Sequence, residues 1–163
     1  MATPSMRSTI EATVADFMKS YEDAVSASDA SILSRTLAAD CTRQLAPAAL
    51  LRNLGMPVDM SMGNEAYEQH MAGELHLLES VGIETLDLSV DAERRRAGAR
   101  SANDLKLAGK GVFRLEFCWF LDFSDDGTKI TKVVQFVDSA EAPKFLALAA
   151  EVAAAGGGKG SGA

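Results

Sequence analysis

The chain has 163 residues, 47% of them hydrophobic, with a formal net charge of −7. That length predicts one domain with a single sizeable core, and the apolar fraction excludes a disordered chain. The acidic balance argues against a nucleic-acid or anionic-membrane surface, and no stretch approaches the ~20 apolar residues of a membrane span.

The N-terminus, "MATPSMRSTIEATV", carries an acidic residue and helical periodicity where a secretory leader needs an uninterrupted apolar run. Ser8 and Glu11 have capping-box spacing, and Ile10, Val14, Phe17, Met18, Tyr21 and Val25 recur at helical intervals. This predicts a long amphipathic helix over about 8–27. Ser28-Asp29 breaks it and can cap a short second helix carrying Ile32, Leu33 and Leu37. "DCTRQLAP" reads as a short strand stopped at Pro47, which cannot donate to a ladder. Residues 48–63 mix apolar side chains with Gly55, Pro57 and Gly63, predicting a loop or broken helix over an opening. Asn64 can cap a third helix over about 65–80.

After Gly82 the pattern turns to strands. "KGVFRLEFCWFLDFS" and "TKITKVVQFVDS" are rich in Val, Phe and Leu, and "SDDGTK" between them has Asp-Gly hairpin chemistry. "DAERRRA" predicts the turn of an earlier pair, and a last helix follows Pro143. Helices first and an antiparallel sheet later predict an α+β fold, with helices packed on one face of a curved sheet. The domain is expected over 8–150, between a flexible N-terminus (1–7) and a flexible Gly-rich tail (151–163). The basic run Arg94-Arg95-Arg96 with Arg100 reads as a solvated strand end or hairpin. Cys41 and Cys118 are far apart, which fits reduced thiols in a cytoplasmic protein rather than a disulfide framework or a metal site.

No Walker motif, GxGxxG, HExxH or GxSxG is present, so function has to be sought in polar residues on apolar faces. On the third helix, at ~100° per residue, Tyr67, Met71, Glu74, Leu78 and Val81 fall within roughly 60° of one another. Glu74 is thus set in an apolar stripe, with His70 at its edge and His76 on the far side. Such a carboxylate has a raised pKa and can act as acid or base; alternatively it pairs with an arginine or reaches water. His70 is the one side chain there whose ordinary pKa suits proton transfer near neutrality, though a structural role is equally open. Tyr67 can donate to a substrate carbonyl or simply fill the core.

Arg43 shares a strand face with Cys41 and Leu45, which is costly unless a carboxylate or an anionic ligand group meets it. In "KVVQFVDS", Gln135 falls in step with Val133 and Val137 and so points to the apolar side. Asp138 falls on the opposite face unless the strand end twists or bulges. Phe113, Phe117 and Trp119 are read as the apolar wall of the sheet's concave side. Glu116 is then an interface or cross-sheet partner.

The motifs "LAADCTRQLAPAALL", "NEAYEQHM" and "ITKVVQFVDS", in this order and spacing, resemble the SnoaL-like members of the nuclear transport factor 2-like superfamily. The likeness covers about residues 8–148 and is supported by "VDAERRRAGARS" and "FLDFSDDGTKI". The resemblance implies a cone-shaped, strongly curved antiparallel sheet (an α+β barrel) around a pocket closed by helices, in a homodimer. It also implies a cofactor-independent isomerase or cyclase of polyketide, terpenoid or alkaloid biosynthesis, with a hydrophobic small molecule as substrate and neither metal nor organic cofactor. Carried over residue by residue, the family's "DC-x-R" arginine is Arg43 and its helix residues are Tyr67 and His70. The family's last-strand "EFxD" glutamate is Gln135 here, and glutamine keeps the shape but cannot trade a proton at neutral pH. The expected catalytic set is therefore Arg43, His70, Glu74 and Gln135. The substrate-binding candidates are Tyr67, Met71, Phe113, Phe117, Trp119 and Asp138. The alternatives are a non-catalytic small-molecule-binding or pathway-partner module, and an epoxide hydrolase or dehydratase.

Overall fold

The computed structural model describes residues 4–156. Helix α1 spans Met6–Ala27 and buries Ile10, Val14, Phe17, Met18, Tyr21 and Val25, the predicted stripe. Its cap lies three residues before the one expected. Ser5, not Ser8, accepts the N–H of Ser8 at 3.1 Å, and the Ser8–Glu11 box does not form. The helix ends at Ser28, whose left-handed backbone (φ 53°) lets Asp29 turn away and accept the Ser31 N–H. Asp29 thereby caps a 3-10 turn, Ala30–Ser34.

Strand β1 (Leu37–Ala46) follows, then helix α2 (Ala48–Asn53), the two-residue β2 (Ser61–Met62) and helix α3 (Asn64–Leu75). The third helix is shorter than predicted. Leu78–Asp91 forms β3 instead, pairing Leu78 with Leu107 and Val81 with Leu105 of β4 (Arg96–Leu107). The long ladder to β4 outweighs the local helical periodicity, so Gly82, read as a break, lies inside a strand. Asn64 does not cap α3: Gly63 holds that position, and Asn64 donates from Nδ2 to the Ala38 carbonyl at 2.9 Å, tying the helix to β1.

Strands β5 (Val112–Phe123) and β6 (Ile130–Val137) complete the sheet, whose order is β2-β1-β6-β5-β4-β3. The sheet is open, and four of its pairs are antiparallel as expected. The pair β1–β6 runs parallel. Its partners come from opposite ends of the chain, with α3 and the meander between them, so no hairpin fixes their direction. The predicted turns occur: Gly127 (φ +74°) lies between β5 and β6, and Arg95 (φ 52°) lies between β3 and β4.

Helix α4 (Ala142–Ala154) starts with Pro143 in its first turn and runs past residue 150. The flexibility expected of 1–3 and 157–163 falls outside the described residues. The buried core lies between α1 and the inner face of the sheet, with Phe17, Tyr21 and Trp119 in edge or tilted ring contacts at 5.3–5.8 Å. Among the described residues no helix is long and apolar enough to cross a membrane.

Candidate functional site

A cavity of about 210 Å³ lies between the inner face of the sheet and the helices. Its walls are mostly apolar: Leu50, Leu54 and Met56 come from the segment predicted to cover an opening, and Phe145 and Leu146 from α4. A larger hollow of about 510 Å³ lies on the outer face around Phe120 and Val134. Its Arg96 and Asp122 pair with each other at 2.9 Å.

Arg43, on β1, is 2% exposed. Its inward direction follows from strand parity with Cys41, and the parallel register sets Val133 opposite it and Gln135 opposite Leu45, all on one face. Nη1 donates to Tyr21 Oη at 3.0 Å and to Gln135 Oε1 at 2.8 Å. The guanidinium lies 3.7 Å over the Tyr67 ring and 5.8 Å from that of Phe17. Nε and Nη2 have no hydrogen-bond partner, and no carboxylate meets the charge among the described residues. Burial opposes ionisation, the oxygens of Tyr21 and Tyr67 offset it, and the guanidinium stays charged. Of the two partners expected for an inward arginine, the structural carboxylate is absent.

Tyr67 is buried, and its hydroxyl is 3.3 Å from that of Tyr21. Burial pushes its pKa well up, so it is a neutral hydrogen-bonding group. On the same helix Met71 and half-buried Glu74 also line the cavity. Leu78 and Val81 line it too, from β3 rather than from the helix. Burial pushes the Glu74 carboxyl up, opposed by His70, whose Nε2 is 3.5 Å from Glu74 Oε1. His70 is exposed at the edge of this wall, and His76 faces away.

Phe117 and Trp119 stack at 5.3 Å in the cavity wall. Phe113 shares their face but lies beyond the cavity, 5.6 Å from Phe145. Asp138 is outside it as well. Its Oδ1 accepts the N–H groups of Ala140 (2.8 Å) and Glu141 (3.3 Å), and its carbonyl accepts that of Ala142, so it shapes the entry to α4. Glu116 is a cross-sheet partner on the outer face, 3.6 Å from Arg100. Arg94, Arg95 and Arg96 each pair with an aspartate near the β3–β4 turn, as a solvated hairpin should. Cys41 and Cys118 are free, burial pushing the Cys41 thiol up to about 11. No group of three His, Cys, Asp or Glu among the described residues could hold a metal.

Two polar residues of the cavity lie outside the expected site: Tyr21, which belongs to the apolar stripe of α1, and Asn103 of β4. Asn103 is 4% exposed, and its Oδ1 accepts from Ser101 Oγ at 2.9 Å, which in turn accepts from Trp119 Nε1 at 3.0 Å. The signal for Asn103 was present: Ala97, Ala99, Ser101, Asn103, Leu105 and Leu107 alternate inward, and two of these six are polar.

No protein-family model and no curated protein matches the chain. Solved structures do. BvnE pinacolase from Penicillium brevicompactum aligns with a TM-score of 0.76 and 18% identity, covering 93% of this chain and 97% of that one. PrhC from Penicillium brasilianum aligns at 0.70 and 18%, covering 90% and 94%. An NTF2-like protein of unknown function from Exiguobacterium aligns at 0.57 and 15%, covering 77% and 98%. The chain therefore has the nuclear transport factor 2-like fold.

Proposed function

We propose that this protein is a cofactor-independent isomerase or cyclase acting on a hydrophobic, oxygen-bearing natural product. The observation that carries the reading is Arg43: a buried guanidinium with no carboxylate, bonded to two cavity-wall groups, Tyr21 and Gln135. Preorganised donors backed by a fixed positive charge suit an oxygen that gains negative charge during reaction. In this reading a substrate carbonyl is held by Tyr21, Tyr67 and Gln135. Glu74 takes a proton from the carbon next to it, the electron pair moves onto the oxygen, and Glu74 or His70 returns a proton to another carbon. Phe117, Trp119 and Met71 hold the apolar skeleton in place. The fold shared with a pinacolase supports an assignment among enzymes of small-molecule rearrangement.

A second reading, a non-catalytic module that binds a small molecule, is favoured by Gln135 itself, since an amide cannot exchange protons at neutral pH. 3-Cyclohexen-1-one separates the two, because moving its α-proton conjugates the double bond and raises ultraviolet absorbance. An enzyme should isomerise it and incorporate deuterium from heavy water, with Glu74→Gln slowing turnover by about 10²–10⁴-fold. Binding without isomerisation would leave the module as the better account, whereas isomerisation at an unchanged rate in Glu74→Gln would keep the enzyme and remove Glu74 as its base.

The proposal includes the homodimer implied by the resemblance. Its contact would be the outer sheet face, where Phe120 and Phe136 are 56% and 42% exposed beside Val134 and Cys118.

A further inference from the structure

We infer that the inner end of the cavity is built for an organic oxyanion, so that the natural ligand carries a carboxylate or an enolised 1,3-dicarbonyl. This rests on reading the cavity as the ligand site. Two independent features point to it.

The first is charge. Arg43 donates only to neutral groups, the Tyr21 hydroxyl and the Gln135 amide oxygen, and its remaining neighbours are the rings of Tyr67 and Phe17. A glutamate at 135 would cancel the guanidinium, whereas glutamine leaves it uncompensated behind the wall. Among the described residues Glu74 is the one carboxylate lining the cavity, and it stands on the α3 side against His70. Half-buried Glu22 is not part of the cavity wall and accepts the Ile83 N–H at 2.9 Å.

The second is hydrogen-bonding capacity. Gln135 Oε1 accepts from Arg43, and the N–H₂ group of the same amide has no bond within the protein among the described residues, so it is free to donate. Tyr21 Oη already accepts from Arg43 and lies 3.3 Å from Tyr67 Oη. One hydroxyl of that pair donates to the other, which keeps one proton for a ligand. The hydrogens left without a partner at this end are thus the Gln135 N–H₂ group and one tyrosine O–H. A carboxylate or enolate accepts from these donors and brings the negative charge that Arg43 lacks.

The test compares 2-naphthoate with its neutral isostere 2-naphthamide by isothermal titration calorimetry at pH 7, with competition between the two establishing a common site. The wild-type protein should bind naphthoate at least about tenfold more tightly than naphthamide. Gln135→Glu should lower the naphthoate-to-naphthamide affinity ratio by about tenfold or more, because the new carboxylate neutralises Arg43. Equal affinities in the wild type, or an unchanged naphthoate-to-naphthamide ratio in Gln135→Glu, overturn the oxyanion assignment and leave the cavity reading standing. If neither probe binds, both fall.

Discussion

Arg43 donates from Nη1 to Gln135 Oε1 over 2.8 Å, across the parallel β1–β6 pair. The contact explains how a strand of alternating valines carries an amide on its apolar side. A hydrogen bond to a charged group contributes about 1.5–3 kcal/mol, enough to offset the burial of one amide oxygen. The bond also serves the arginine, whose Nε and Nη2 have no partner.

Arg43 should therefore respond differently to two truncations. Arg43→Ala leaves a void beside Tyr67 and Phe17 and should cost about 2–4 kcal/mol. Arg43→Met fills most of that space and removes an unpaired charge, so its stability should stay within about 1 kcal/mol of the parent. Urea unfolding midpoints measure both. Equal losses would mean that the bonds to Tyr21 and Gln135 matter more than the volume.

Glu74 should make stability depend on pH. Burial raises its folded-state pKa above the unfolded value of about 4.3, so the fold favours the protonated form. That contribution is complete below the unfolded pKa and is lost as pH rises through the folded one. Glu74→Gln should consequently gain on the wild type between pH 4 and pH 7. A constant gap over that range, or a Glu74 carboxyl resonance titrating at the unfolded position, would contradict it.

Gly127 occupies a left-handed position (φ +74°), and an added Cβ would lie 2.8 Å from Met6 Sδ and 3.2 Å from Ile10 Cγ1. Its carbonyl also accepts from Thr13 Oγ1, which ties the β5–β6 turn to α1. Gly127→Ala should lose more stability than Gly55→Ala. Gly55 has a similar φ of +71° but nothing within 4 Å, so its alanine variant should cost only the backbone strain of about 1–2 kcal/mol. Equal losses in thermal melts would show that Met6 and Ile10 yield freely.

Light scattering tests the proposed dimer. The particle should have twice the 17.2 kDa chain mass, and Phe120→Asp should return it to the mass of one chain. A dimer unaffected by Phe120→Asp would put the contact elsewhere.

The helices of this protein could be read locally because a 3.6-residue period and its turn residues are short-range signals. The buried stripe of α1 and the Asp-Gly hairpin stand where periodicity put them. Local signals failed where long-range pairing competed with them. Leu78 and Val81 continued the α3 pattern, yet pairing with β4 claimed them, and they reached the same cavity as strand residues. Asp138 sat in a familiar motif, but backbone N–H groups at the start of α4 took its carboxylate. Parity turned Arg43 and Gln135 inward, but only the parallel pairing of two strands ninety-odd residues apart (|i−j| = 92) made them partners. Whether a carboxylate met that arginine was likewise beyond any local pattern, because a buried charge is answered by whatever the fold brings within a few ångströms of it. Here those groups are the hydroxyl of Tyr21, the amide of Gln135 and the ring of Tyr67.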